Sequence, residues 1–225
     1  MADGQSPTGS TGSPPGYSKG NGVSRRLFLQ TVGLSAAAAP LAGSADAAQA
    51  DQAGAENVRI LGPGPIKVGL IVNKRGYTRT IDPATTLLEA LRVDLDFTGT
   101  KEICDRGACG GCSVLVDGKL TASCMMLAVD AIGIEITTIE GLAEGNNLDP
   151  VQVSFIRHDA LQCGYCTPGM IMAVKALLND NPKPTPAQIK QGLSGNLCRC
   201  GTYVNVVNAV LEASGQRPIR DGAGA

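Results

Sequence analysis

The eight cysteines of this 225-residue chain fall in two groups, and their spacing is the constraint that any fold of it has to satisfy. Cys104, Cys109, Cys112 and Cys124 lie within EICDRGACGGCSVLVDGKLTASC, with four, two and eleven residues between successive members. Cys163 and Cys166 lie in QCGYC, and Cys198 and Cys200 in CRC. No cysteine is left over. A C-x4-C-x2-C run with a fourth cysteine downstream is the plant-type pattern that holds a 2Fe-2S cluster. A negatively charged iron-sulfide core needs four thiolates converging on it and backbone N–H groups aimed at its sulfurs. Gly107, Gly110 and Gly111 let a short loop turn tightly enough to supply both.

Three other chemistries compete for these thiols. Disulfides are the default for an even number of cysteines in an exported chain, but a chain with 43% apolar residues builds a core without staples. Structural zinc takes four cysteines as two closely spaced knuckles, which C-x4-C-x2-C is not. A C-x-x-C redox motif at Cys163 and Cys166 leaves Cys198 and Cys200 unexplained. For the second group, spacing alone specifies a metal site and leaves iron-sulfur and zinc both open. A Rieske centre needs two histidines, and the sequence has only His158. That histidine is expected on a solvated helix face, with no role.

The formal net charge is −1, which gives no long-range attraction for nucleic acid or an anionic membrane surface. With no tryptophan, three Phe and four Tyr, base-stacking platforms are not supported either. Residues 1–23 are a Gly/Ser/Pro-rich polar segment too poor in apolar residues to order itself. Residues 24–50 carry Arg25 and Arg26 in SRRLFL, a mild apolar run, and small residues at Ala45, Ala47, Ala48 and Ala50. They read as a twin-arginine export signal, cleaved near residues 47–50. The run is interrupted at Gln30, Thr31 and Pro40, so no membrane anchor is expected after cleavage. The mature chain is thereby placed in the periplasm, exported folded with its cofactor already loaded.

After a linker over 51–64, IKVGLIV and YTRTI read as a hairpin across NKRG. Thr86 with Glu89 opens a helix whose Leu87, Leu88 and Leu91 share a face. The cysteine loop follows, then a second hairpin turning at Asp117-Gly118 and a last strand near EITTI. These make a small α+β domain over residues 65–143. Beyond Leu148 the period becomes helical, in DPVQVSFIRHDA, PGMIMAVKALLNDN, TPAQIKQGL and YVNVVNAVLEAS. The first three carry proline at or just inside their starts. A helical domain over 148–215 therefore precedes a tail at 216–225, with its cysteine pairs in the loops between helices.

GTKEICDRGACGGCSVLVDG, LQCGYCTPGM and SGNLCRCGTY, in that order, resemble the iron-sulfur subunit of the molybdenum hydroxylases, the xanthine oxidase family. The resemblance covers about residues 66–215. It implies an α+β chain, a ferredoxin-like β-grasp domain followed by a four-helix domain, each with one 2Fe-2S cluster. Cys104, Cys109, Cys112 and Cys124 are then the ligands of the plant-type cluster, and Cys163, Cys166, Cys198 and Cys200 those of the second. Gln162 and Cys200 match positions near the pterin. The implied activity is electron relay, from molybdopterin on a large subunit to FAD on a further subunit or to another acceptor, with substrate chemistry on the partner chain. The twin-arginine signal, EITTIEGL and FIRHDALQCGYCTPG are most similar to periplasmic aldehyde oxidoreductases. Xanthine, carbon monoxide and N-heterocycle dehydrogenases use similar small subunits. From other classes, a stand-alone exported ferredoxin and a disulfide-stapled binding module are the competing expectations.

Overall fold

In a computed structural model, residues 61–219 are described. The polar segment at 1–23, the export signal at 24–50, most of the 51–64 linker and the end of the 216–225 tail lie outside the described residues. The fold is mixed: a five-stranded sheet in the order β2-β1-β5-β3-β4, followed by four helices. Strands β1 (Ile66–Val72) and β2 (Arg75–Ile81) pair antiparallel, with Val72 opposite Arg75. The turn is only Asn73-Lys74, both at positive φ (50° and 65°), the mirror-image geometry that matches strand twist. Arg75 and Gly76, read as turn residues in NKRG, therefore belong to β2. Strands β3 (Ser113–Val116) and β4 (Lys119–Ala122) repeat the device at Asp117-Gly118, at φ 50° and 73°. β5 (Glu135–Thr137) then enters the middle of the sheet, parallel to β1 and antiparallel to β3.

Helix α1 (Leu87–Glu89) is capped by the Thr86 hydroxyl, which accepts from Glu89 N at 3.1 Å, and continues as a wider turn over Ala90–Asp94. The three leucines do not share one face. Leu87 and Leu91 pack on Val68, Val72, Val114 and Ile136 of the sheet, whereas Leu88 turns onto Cys112 and Cys124. The widened helix thus joins the sheet core to the cysteine loop.

Helices α2 (Pro150–Arg157), α3 (Thr167–Asp180), α4 (Pro186–Gly192) and α5 (Tyr203–Ala213) fall where the helical period places them. Complete capping boxes open α2 (Asp149 with Gln152) and α4 (Thr185 with Gln188), each with proline in the first turn. Phe155, Met170, Val174, Ile189, Val206 and Val210 form their shared core. Six consecutive residues of α3, Gly169 to Val174, are buried, the mark of a helix covered on every side. One side meets the other helices, and another lies against β3. That explains why all four residues of β3 are buried: Val114 and Val116 point into the sheet core, and the alternate positions face α3.

His158 departs from its expected solvated face. It closes α2, its side chain is 21% exposed, and Nε2 lies 2.5 Å from Glu212 Oε2 on α5. Arg157 Nη1 donates to the other oxygen at 2.8 Å. That guanidinium is the main influence holding the Glu212 carboxyl below its usual range, against partial burial and with His158 adding to it. The cluster ties α2 to α5.

Candidate functional site

Both cysteine groups lie on loops that enter or leave the elements just described. The first loop runs to the start of β3, with Asp105, Gly107 and Gly110 at positive φ (50°, 69° and 70°) so that the chain curls back on itself. Cys109, Cys112 and Cys124 are buried, and Cys104 is half-buried. Leu88 covers Cys112 and Cys124 from below. Gly107 N–H donates to Cys124 Sγ at 3.3 Å. The second loop pair connects α2 to α3 and α4 to α5, with Cys198 buried, Cys166 half-buried, and Cys163 and Cys200 exposed.

Within each group the thiols come as two pairs. Cys112 and Cys124 sulfurs are 3.4 Å apart, and Cys163 and Cys200 sulfurs 3.5 Å. Cys104 lies beside Cys109, and Cys166 beside Cys198, each close enough to shift the other's thiol. Among the described residues no three Cys, His, Asp or Glu side chains converge closely enough to hold a single metal ion. A tetrahedral zinc with Zn–S of ~2.3 Å would draw all four sulfurs to within about 3.8 Å of one another. A two-iron core takes two thiolates on each iron and keeps the two pairs apart. The paired arrangement, together with an N–H aimed at a sulfur, fits the 2Fe-2S group and does not fit one zinc per motif. All eight cysteines are free thiols, so the disulfide alternative finds no bonded pair in the structure.

The electrostatics within the pairs tell the same story. Cys104 is lowered to about 7, chiefly by the Arg106 backbone N–H and then by Cys109, whereas burial raises Cys109. Burial likewise pushes Cys124 up to about 11, with Cys112 adding to it. In the second motif the Tyr165 N–H lowers Cys163, and burial pushes Cys166 up to about 12. Burial alone would raise Cys198, but the Thr202 hydroxyl and N–H, with Cys166, bring it down to about 7. In the Cys104–Cys109 and Cys198–Cys166 pairs the first thiolate forms readily and its neighbour resists. A bound cation removes that resistance, since a coordinating thiol is deprotonated outright.

The two motifs touch. Leu197 N–H, one residue before Cys198, donates to the Cys109 carbonyl at 2.9 Å. Buried Asn196 directs its Nδ2 at Gly110 O (3.0 Å), Gly169 O (3.1 Å) and Ser113 Oγ (3.4 Å). One amide therefore holds the first cysteine loop, the start of α3 and the second cysteine loop together. Gln162 and Cys200, the candidate pterin contacts, are both exposed on the outer rim of the second motif, where the Cys200 thiol donates to Cys163 Sγ. Asn196, Gly169, Thr202 and Tyr203, whose hydroxyl accepts from Cys198 N at 2.8 Å, lie within the TPGM and SGNLCRCGTY stretches, but nothing in those stretches announces these contacts. Their roles exist only once the loops meet.

The profile of a 2Fe-2S binding domain family matches residues 138–211. The chain is 43% identical over 171 residues to the aldehyde oxidoreductase iron-sulfur-binding subunit PaoA of Escherichia coli O157:H7, covering 68% of this chain and 75% of that one. It is 44% identical over 157 residues to the nicotine 6-hydroxylase small subunit of Paenarthrobacter nicotinovorans, covering 70% and 94%. Among solved structures it superimposes on a chain of quinoline 2-oxidoreductase from Pseudomonas putida 86 with a TM-score of 0.63 at 38% identity, covering 70% of this chain and all of that one.

Proposed function

The chain belongs to the iron-sulfur subunits of the molybdenum hydroxylases, and we propose that it relays single electrons from the molybdopterin centre of a large aldehyde-oxidising subunit, through two 2Fe-2S clusters, to FAD on a further subunit or to another acceptor. The observation that carries this reading is the arrangement of eight thiols as four pairs in two touching loops. When bound, each cluster would supply one-electron redox chemistry.

The chain's residues do the rest. Cys104, Cys109, Cys112 and Cys124 would hold one cluster, and Cys163, Cys166, Cys198 and Cys200 the other. The Gly107 N–H at Cys124 Sγ favours added negative charge there, while burial of Cys109, Cys112 and Cys124 excludes water from the first site. The exposed Cys163–Cys200 edge, with Gln162 beside it, is the side that can reach a pterin on the large subunit. The Leu197–Cys109 hydrogen bond joins the two ligand loops directly. We take residues 65–143 as the ferredoxin-like β-grasp domain and 148–215 as the helical cluster domain. A sheet crossed by one helix supports the first, and the profile match over 138–211 the second.

A second reading keeps this relay but gives the partner an N-heterocyclic substrate, because similarity to the nicotine 6-hydroxylase subunit is as high as to the aldehyde one. Substrate choice lies with the large subunit in either case. No described helix is long and apolar enough to cross a membrane.

Natively purified chain is expected to contain about four irons and about four acid-labile sulfides, with two distinguishable rhombic EPR signals after dithionite reduction. Iron-free protein would end the relay reading. The SRRLFL stretch supports periplasmic placement after twin-arginine export. Changing Arg25 and Arg26 together to lysine is expected to remove both this chain and the partner's molybdenum activity from the periplasm. Undiminished periplasmic activity would mean that the partner does not depend on this signal.

A further inference from the structure

Thr202 precedes α5 at its N-cap position, yet its side chain makes no cap hydrogen bond. Elsewhere in the chain Thr86, Asp149 and Thr185 all cap their helices with side-chain oxygens, a contact worth about 1 kcal/mol. Thr202 forgoes it. Its Oγ1 lies 3.1 Å from Cys198 Sγ, and both residues are buried, at 6% and 8% exposure. Among the described residues it is the one side chain other than cysteine that hydrogen-bonds a cysteine sulfur. The backbone N–H of Cys198 is already committed to the Tyr203 hydroxyl, so it cannot turn toward the sulfur.

We propose that the Thr202 hydroxyl, hydrogen-bonded to Cys198 Sγ in the buried loop between α4 and α5, raises the reduction potential of the cluster held by the helical half. The proposal rests on the two-cluster reading above. A metal-bound cysteine sulfur carries no proton, so the hydroxyl has to be the donor. Reduction adds one electron to the thiolate-held core, breaks no bond to Thr202 and leaves the proton on Oγ1. A donor in a dry, low-dielectric setting stabilises the more negative form more than the less negative one. Thr202 is thus a positioning residue that acts through Cys198.

The test is a redox titration of the full-length, iron-loaded chain followed by EPR, for the wild type, Thr202→Val and Thr202→Ser. Valine keeps the shape and removes the donor. It is expected to make reduction of one signal about tenfold less favourable, about 59 mV for a one-electron couple. The other signal stays in place, and serine keeps the wild-type potential. Two wild-type signals that both ignore valine, or move equally, overturn this proposal and leave the relay standing. Fewer than two wild-type signals would overturn the two-cluster reading itself, and this proposal with it. If the valine chain loses iron, electron-nuclear double resonance on the wild-type and serine chains decides. An H2O/D2O-exchangeable proton coupling on one signal that these two chains share and Thr202→Ala lacks supports the hydroxyl donor, and an identical set of exchangeable couplings in all three chains overturns it.

Discussion

Gly169→Ala is expected to yield a chain that melts roughly 5–10 °C lower and retains about two irons or fewer instead of about four. Helix propensity alone argues the other way, since alanine within α3 should gain up to ~1 kcal/mol over glycine. Close approach decides the sign. Gly169 is buried near the start of α3, and a Cβ there would fall well inside 3.0 Å of the Gly110 carbonyl oxygen, with Gly111 C and Cα at 3.1 Å. These are backbone atoms and cannot swing aside as the end of a side chain can. Gly110 is itself at φ +70° and lies between Cys109 and Cys112. Any shift that relieves the clash therefore moves two thiols of the first motif. Overpacking of this kind costs about 1–3 kcal/mol or more, and here it also disturbs the proposed cluster site.

The control is Gly192→Ala at the end of α4, where the nearest atoms to an added Cβ belong to the Leu177 side chain, at 3.0 to 3.6 Å. That side chain can yield by a few tenths of an ångström, so melting temperature and iron content should stay near wild type. Thermal melts and iron assays on both variants check the prediction. Wild-type behaviour of Gly169→Ala would mean that α3 and the Gly110 loop are free to separate.

What was legible in the sequence follows the range of the interactions concerned. The hairpin turn at Asp117-Gly118, the proline-led helix starts and the loops carrying Cys163, Cys166, Cys198 and Cys200 are written within a few residues of themselves, and each falls where expected. The three leucines after Thr86 were less legible. A regular helical period puts Leu87, Leu88 and Leu91 on one face, whereas the widened turn at Ala90–Asp94 and the nearby cysteine loop give Leu88 a different neighbour. His158 was misplaced for a similar reason. Its partner Glu212 is 54 residues away, and no local pattern announces that pairing.

The same limit hid the residues that bind the two motifs together. Cysteine spacing specifies ligands, because a cluster tolerates few arrangements of four thiols. It is silent on how two such loops are held against each other. That task falls to a buried amide and a missing Cβ, brought together across 86 residues in the case of Asn196 and Gly110.

Asn196→Ala should accordingly cost more than an ordinary buried polar substitution. It would remove the donor that bridges the Gly110 and Gly169 carbonyls; the Ser113 N–H and hydroxyl still reach Gly110 O, so the loss is that of the bridging hydrogen bonds, at about 1 kcal/mol each, and of the amide's packing. Together these amount to about 2–3 kcal/mol, or a fall of roughly 5–10 °C in melting temperature for a chain of this size. Asn196→Asp should be worse still, because a carboxylate would face two carbonyl oxygens and carry an unpaired buried charge. Asn196 and Gly169 also act on one shared atom, the Gly110 oxygen. Once Gly169→Ala has displaced that carbonyl, Asn196 has less left to hold. The double variant should therefore lose clearly less stability than the sum of the two single losses, with a coupling of about 1 kcal/mol or more for groups in direct contact. Simple additivity in that cycle would show that the amide and the glycine serve separate parts of the fold, and that the two cysteine loops are not held by one joint.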